Sequence, residues 1–168
     1  MRRATAAALV AAVLLAGCGG GSEEPKVVSK DLYITKGDAV CASLTARFED
    51  AGSSNPNTPK EIVGSANVLA DLYGDLLKKL KDLKLPSRPA ARIGAEQYVA
   101  AIGRTDALLA DLQASAKSFE DAVDRRDQRK VGSTGNDVRS ALDAFRAAQA
   151  GANTRAIAYG FNLCGNLN

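Results

Sequence analysis

Histidine and tryptophan are absent from this chain of 168 residues, and methionine occurs once, at position 1. Histidine is the usual base beside a serine or cysteine nucleophile, and it is a frequent ligand of zinc, haem and di-iron centres. The chain therefore lacks the residue on which a Ser-His-Asp triad, a Cys-His pair or a His-ligated metal centre depends. We expect a non-enzymatic protein with no metal and no cofactor.

Long apolar runs are also scarce, and the longest lies at the N-terminus. Arg2 and Arg3 precede a charge-free run over 4–15, which ends in Leu15-Ala16-Gly17-Cys18. A run of about twelve residues is shorter than the roughly 20 that span a bilayer, but it is typical of a secretory signal peptide. Small residues before a cysteine resemble the bacterial lipobox, whose cysteine becomes the acylated first residue.

The N-terminus therefore predicts a signal peptide over 1–17 and lipidation of Cys18. The protein would lie outside the cytoplasm, anchored by lipid in the outer leaflet of the cell membrane. An ordinary secretory signal with a chance cysteine is the alternative. Two of the 22 basic residues lie in the signal, which leaves 20 against 19 acidic residues. Because this balance is nearly neutral, we expect no nucleic-acid partner.

With Cys18 assigned to lipid, Cys41 and Cys164 remain. Two thiols in an oxidising compartment pair by default, so we predict a Cys41–Cys164 disulfide. Two reactive thiols are the alternative, but they would need an activating base that the chain does not supply.

From Tyr33 onward, apolar residues recur at alternating spacings of four and three, which is the packing seam of helices in a bundle. The helical segments are 36–51, 58–85, 89–125 and 128–164. We predict an all-α, up-down-up-down four-helix bundle over 33–168. Residues 18–32, which are rich in glycine and charge, would form a flexible tether between the lipid and the bundle.

Capping residues support these segments. Thr35 is expected to cap helix 1, Thr58-Pro59-Lys60-Glu61 has capping-box spacing, and Gly165 suits the C-cap of helix 4. Pro86 and Pro89 separate helices 2 and 3.

The turn between helices 3 and 4 has two candidate positions, 124–127 and the glycine-containing 132–136. We choose the first, because the second would make helix 3 more than forty residues long. Helices 3 and 4 would then exceed helix 2 in length. We expect the excess to form a two-helix arm of about 15 Å at the far end of the bundle.

The two ends of the predicted domain carry short motifs. Lys36-Gly37-Asp38-Ala39-Val40-Cys41 lies near its start, and Ala158-Tyr159-Gly160-Phe161-Asn162-Leu163-Cys164-Gly165 lies at its end. With the lipobox, they resemble small helical lipoproteins of high-GC Gram-positive bacteria, which share an early Asp-Ala-x-Cys and a terminal Tyr-Gly-x-x-x-Cys-Gly. The resemblance implies this fold and location, and it implies no activity.

The polar residues with potentially reactive side chains have simpler structural interpretations. Helix 2 carries a polar stripe that should face solvent, and Glu96 should be an edge residue with its carboxylate in water. The tyrosines should fill the core with their hydroxyls toward the rim, and the alanine-rich seams should leave little room for a cofactor. The stripe consists of Asp71, Asp75, Lys78 and Asp82, and the tyrosines are Tyr33, Tyr73, Tyr98 and Tyr159.

Two basic clusters remain. One lies near the end of helix 2 (Lys78, Lys79, Lys81, Lys84) and the other at the turn between helices 3 and 4 (Arg125, Arg126, Arg129, Lys130). We predict that the second cluster contacts an envelope protein or an anionic wall polymer. The expected function is thus a lipid-anchored bundle that presents a binding surface, and a small-ligand pocket between helices is the alternative.

Overall fold

The computed structural model describes residues 27–53 and 55–167, and these residues form four helices that pack in chain order. The predicted all-α four-helix bundle is confirmed. The signal peptide, Cys18 and the tether up to residue 26 lie outside the described residues. The elements are α1 (Lys30–Ser53), α2 (Pro59–Lys81), α3 (Pro89–Asp124), α4 (Gln128–Tyr159) and a 3-10 turn (Cys164–Asn166).

Helix α1 begins earlier than the sequence predicts. The Ser29 hydroxyl accepts a hydrogen bond from the Leu32 N–H at 3.1 Å, as an N-cap does. Thr35 is wrong as the cap, because it lies inside the helix and its hydroxyl donates to the Asp31 carbonyl. The predicted tether is also too long at this end, since Val28 is buried and bonds through its backbone to Ser87.

The predicted start of α2 and the turn between α3 and α4 are both correct. Thr58 and Glu61 form a reciprocal capping box, in which the Glu61 carboxylate accepts the Thr58 N–H at 3.0 Å. The chain reverses at residues 125–127, where Arg126 has φ 55°. The Asp127 carboxylate then caps α4 by accepting the Lys130 N–H at 3.2 Å.

The C-cap prediction at Gly165 is wrong, because α4 ends five residues earlier. Gly160 adopts φ 110°, the left-handed conformation that ends a helix, and the Phe161 N–H donates back to the Ala156 carbonyl. The buried Phe161 ring is the apolar contact that accompanies such an ending. Gly165 instead packs closely, since a Cβ there would lie 2.5 Å from Ile157 Cγ1.

The predicted 15 Å arm is wrong in length. Asn67 bonds to Gln113 at 2.9 Å, and Leu77 lies beside Gly103. The same antiparallel register places Pro59 level with Asp121, so α3 passes the start of α2 by only three residues, about 5 Å. The extra length of α3 lies at the opposite end, because residues 82–88 carry the chain beyond α2 before it reverses.

We call the end of the bundle at the α3–α4 turn the tip. The opposite end, where α4 ends at Tyr159 and a hook formed by residues 160–167 begins, is called the hook end. The tip still packs apart from the main core, since Ala122 is buried there without belonging to the core cluster. The buried core extends between the helices from the hook end to the level of Ala116.

Candidate functional site

Residues 160–167, here called the hook, fold back between α1 and α4. The predicted disulfide between Cys41 and Cys164 is confirmed, with the two Cα atoms 5.2 Å apart and both side chains fully buried. Cys41 lies in the middle of α1, because α1 starts at Lys30. The bond therefore fixes the hook against the centre of α1.

Asp38 holds the same hook through its carboxylate. Its two oxygens accept the backbone N–H groups of Asn162 at 3.0 Å, Leu163 at 2.9 Å and Cys164 at 3.3 Å. One residue earlier, Gly37 leaves space for the Phe161 ring, which a Cβ at this position would meet at Cε1. The sequence motifs at 36–41 and 158–165 are thus two halves of one structural unit. Asp38 belongs to the first motif, but no neighbouring residue in the sequence indicates this role.

An aromatic cluster fills the space beneath the hook. The Phe161 ring lies 4.9 Å from the Tyr98 ring and 5.3 Å from the Tyr159 ring, centroid to centroid. The hydroxyls of Tyr33 and Tyr98 are buried, with no hydrogen-bond partner among the described residues, so the prediction that they point to the rim is wrong. Burial raises the pKa of Tyr33 to about 12. The Tyr159 hydroxyl does find a partner, the Ala91 carbonyl, at 3.0 Å.

The far end of the hook is fixed to α4. The Leu167 carbonyl accepts hydrogen bonds from the side-chain amides of Gln149 at 3.2 Å and Asn153 at 3.1 Å. The hook therefore closes the seam between α1 and α4 over the half of the bundle near the hook end.

The other half of that seam is open. The Tyr33 and Tyr159 rings join α1 to α4 near the hook end, but toward the tip, beyond Gln149, an apolar cleft of about 390 Å³ separates the end of α1 from α4. We call this space the α1–α4 cleft. Its largest apolar lining residues are Ile62, Leu69, Leu112, Val138, Leu142 and Phe145. Four of these, Ile62, Leu69, Val138 and Leu142, are only partly buried.

The cation and the side-chain amide of the cleft lie near the hook, whereas the polar residue Ser65 lines it from α2. Gln149 lines this end and is fixed by its bond to the hook and by a hydrogen bond with Tyr73. Burial raises the pKa of Tyr73, and the Gln149 bond partly offsets that rise. Arg146 also lines the cleft, and its exposed side chain makes no ion pair or hydrogen bond with any described residue. An apolar space thus has one fixed amide and one available cation at the same end.

A second depression, of about 690 Å³, lies between the end of α1 and the start of α2. Its charged residues already have structural partners. Arg47 pairs with Asp75 at 2.8 Å, and the Glu61 carboxylate caps α2. The backbone N–H groups of Asn57 and Thr58 hold the pKa of Glu61 below its ordinary value. The depression therefore offers less unused binding capacity than the α1–α4 cleft.

The polar stripe of α2 lies at the surface. Asp71, Lys78 and Asp82 are exposed, and Asp75 is partly exposed in its pair with Arg47, whose hydrogen bond lowers the pKa of the Asp75 carboxyl. Glu96 is exposed, as predicted. These carboxylates do not converge on an apolar site, and no group of acidic or cysteine residues in 27–53 and 55–167 could hold a metal ion.

The basic clusters occupy opposite parts of the bundle. The second cluster, Arg125, Arg126, Arg129 and Lys130, lies exposed at the tip. None of its four cations forms an ion pair with another described residue. In the first cluster, Lys79 reaches the Ser43 hydroxyl on α1 at 3.4 Å, whereas Lys78, Lys81 and Lys84 extend into solvent.

Comparison with known proteins finds no match. No family model, no curated protein and no solved structure is detectably similar to the chain. None of the helices over the described ranges is both long and apolar enough to cross a membrane. The resemblance to small helical lipoproteins therefore stays a prediction.

Proposed function

We propose that the protein is a non-catalytic, lipid-anchored binding protein outside the cytoplasm, and that the α1–α4 cleft holds an apolar ligand. The observation that carries the proposal is a cleft of about 390 Å³ lined by six large apolar residues. Ligand sites in proteins have volumes of about 300–1,000 Å³ and mostly apolar walls. The geometry thus favours the ligand-binding alternative over a purely external contact surface.

The position of the cleft explains why the alanine-rich seams did not reveal it. Ala95, Ala116, Ala152 and Ala156 are buried on α3 and α4, and they bring those two helices close together. No such seam joins α1 to α4. The leucine and isoleucine side chains that α4 and α2 direct toward this gap would bury more apolar surface if a ligand filled it. Burial of apolar surface contributes about 25 cal/mol of favourable free energy per Å².

Two features support a location outside the cytoplasm. The lipobox-like sequence ending at Cys18 predicts acylation, and the buried Cys41–Cys164 disulfide is typical of an oxidising compartment. The described chain starts nine residues after Cys18. A tether of that length would hold the hook end within about 30 Å of the lipid.

The proposal is tested with a neutral long-chain alcohol as the probe, titrated calorimetrically into the exported full chain carrying Cys18→Ser. One molecule should bind per chain. Val138→Trp should abolish binding by filling the cleft, whereas Val131→Trp is a matched control on the same helix outside it. Equal binding to both variants would show that the alcohol does not occupy the cleft.

A second candidate function is contact between the tip and an anionic envelope component. The observation in its favour is the set of four exposed cations at the α3–α4 turn, none with an acidic partner among the described residues. Reversal of all four charges should then reduce binding to isolated cell wall, and salt should weaken the wild-type interaction. Binding that is insensitive to both would exclude a tip contact.

A further inference from the structure

We propose that the ligand of the α1–α4 cleft is a free single-chain amphiphile with an anionic head, such as a long-chain carboxylate. Its head would lie at Arg146, and its tail would run along Leu142 and Val138 toward the tip. This inference rests on the proposed function, because it names the ligand class of the same site.

The charge of the cleft favours an anion. Its lining includes one cation, Arg146, and no acidic side chain. Arg146 has no partner among the described residues, so its guanidinium donors are available to a ligand, unlike those of Arg47, which pairs with Asp75. A guanidinium with free donors at the rim of an apolar space is suited to a carboxylate, which it can bind through two parallel hydrogen bonds.

The order of residues along α4 gives the ligand a direction. Gln149 and Arg146 lie at the hook end of the cleft, and Leu142 and Val138 follow toward the tip. The segment from Arg146 to Val138 spans about 12 Å of helix. The hook closes the seam beyond Gln149, so an apolar tail can extend only away from it. A cation at one end and a mainly apolar length along α4 match a molecule with one head and one chain.

The size of the cleft argues against a protein partner. A helix with its side chains is about 10–12 Å across, and several turns of it would need a long continuous groove. Here the end of α1 and its connection to α2 wall the space through Ala51 and Pro56, and the volume is about 390 Å³. A single flexible chain can enter such a space without displacing α1.

The test compares linear carboxylates with alcohols of equal length, below the concentration at which they aggregate, on the full chain carrying Cys18→Ser. Each added methylene should tighten binding about fourfold, from about 0.8 kcal/mol per buried methylene, until the cleft is full and the gain stops. Carboxylates should bind about tenfold more tightly than alcohols. This ratio corresponds to the lower end of the free-energy range for a hydrogen bond to a charged group.

Two variants locate the head. Arg146→Gln should remove the preference for carboxylates and leave the affinity for alcohols unchanged. Arg139→Gln is the matched control, because Arg139 is also exposed on α4 but does not line the cleft. It should leave both affinities unchanged.

The outcomes separate the two proposals. Equal affinity for carboxylates and alcohols, or a preference that survives Arg146→Gln, overturns the anionic ligand and leaves the apolar-ligand function intact. Absence of binding by both probes overturns both proposals. Binding only to phosphatidylglycerol vesicles, or dimer formation that Val138→Trp prevents, overturns the free amphiphile in favour of a membrane surface or a second copy.

Discussion

Replacement of Asp38 by alanine should loosen the hook. Three backbone N–H groups donate to this carboxylate, at 2.9–3.3 Å. The bonds from Asn162 and Leu163 are exposed, so water can replace the carboxylate at little cost. The Cys164 N–H is partly buried, and a buried donor without a partner costs about 1–3 kcal/mol.

The expected loss is therefore about 2 kcal/mol of the free energy of unfolding. For a domain of this size, each kcal/mol shifts Tm by roughly 2–4 °C, so Tm should fall by roughly 4–8 °C. Asp38→Asn should recover only part of this loss, because its amide group presents donors to N–H groups that are also donors.

Thermal and denaturant unfolding, followed by circular dichroism, would measure the change under non-reducing conditions. Glu49→Ala is the control, since Glu49 is exposed on the same helix and takes no part in the hook. If Asp38→Ala unfolds like Glu49→Ala, the carboxylate does not hold the hook, and the disulfide alone must fix it.

Three further predictions concern other parts of the chain. Cys41→Ala with Cys164→Ala should lower the free energy of unfolding by up to about 5 kcal/mol for a separation of 123 residues, measured by denaturant titration; an unchanged midpoint would contradict a stabilising bond. Cys18→Ser should release the protein from the membrane fraction, and salt-resistant retention would disprove lipid anchoring. Raising the pH from 10 to about 12 should destabilise the fold, because Tyr33 favours its neutral form when buried. Tyrosinate absorbance that rises at pH 10 without loss of helix would refute this burial effect.

Much of the fold follows from the sequence because the signals are local. Thr58 and Glu61 are three residues apart, and Pro89 acts at its own position, so the starts of α2 and α3 are fixed by nearby residues. The length limit on a single helix also placed the turn at 124–127 correctly. The disulfide followed from counting thiols, which needs no geometry.

The parts that sequence missed depend on contacts across the chain. Asp38 acts on N–H groups more than 120 residues away, and nothing in its neighbours identifies them. Whether α4 ends at Gly160 or at Gly165 depends on Phe161, whose ring packs in the space beside Gly37 on α1. The cleft is a missing contact between α1 and α4, and a seam pattern along single helices does not report which pairs of helices meet.

The position of the hook also sets an order of events during synthesis. Residues 160–167 are synthesised after all four helices. The groups that they contact, which are Cys41, Asp38 and the space beside Gly37, therefore have no partners until nearly the whole described chain is present. Helix α1, the first of the four described helices to be made, is held by α2, by the hook and by the contact of Tyr33 with Tyr159, and the last two form only at the end of synthesis. A chain that stops short of residue 160 would leave Cys41 without its partner and the aromatic cluster uncovered, which are features that thiol oxidoreductases and proteases can recognise.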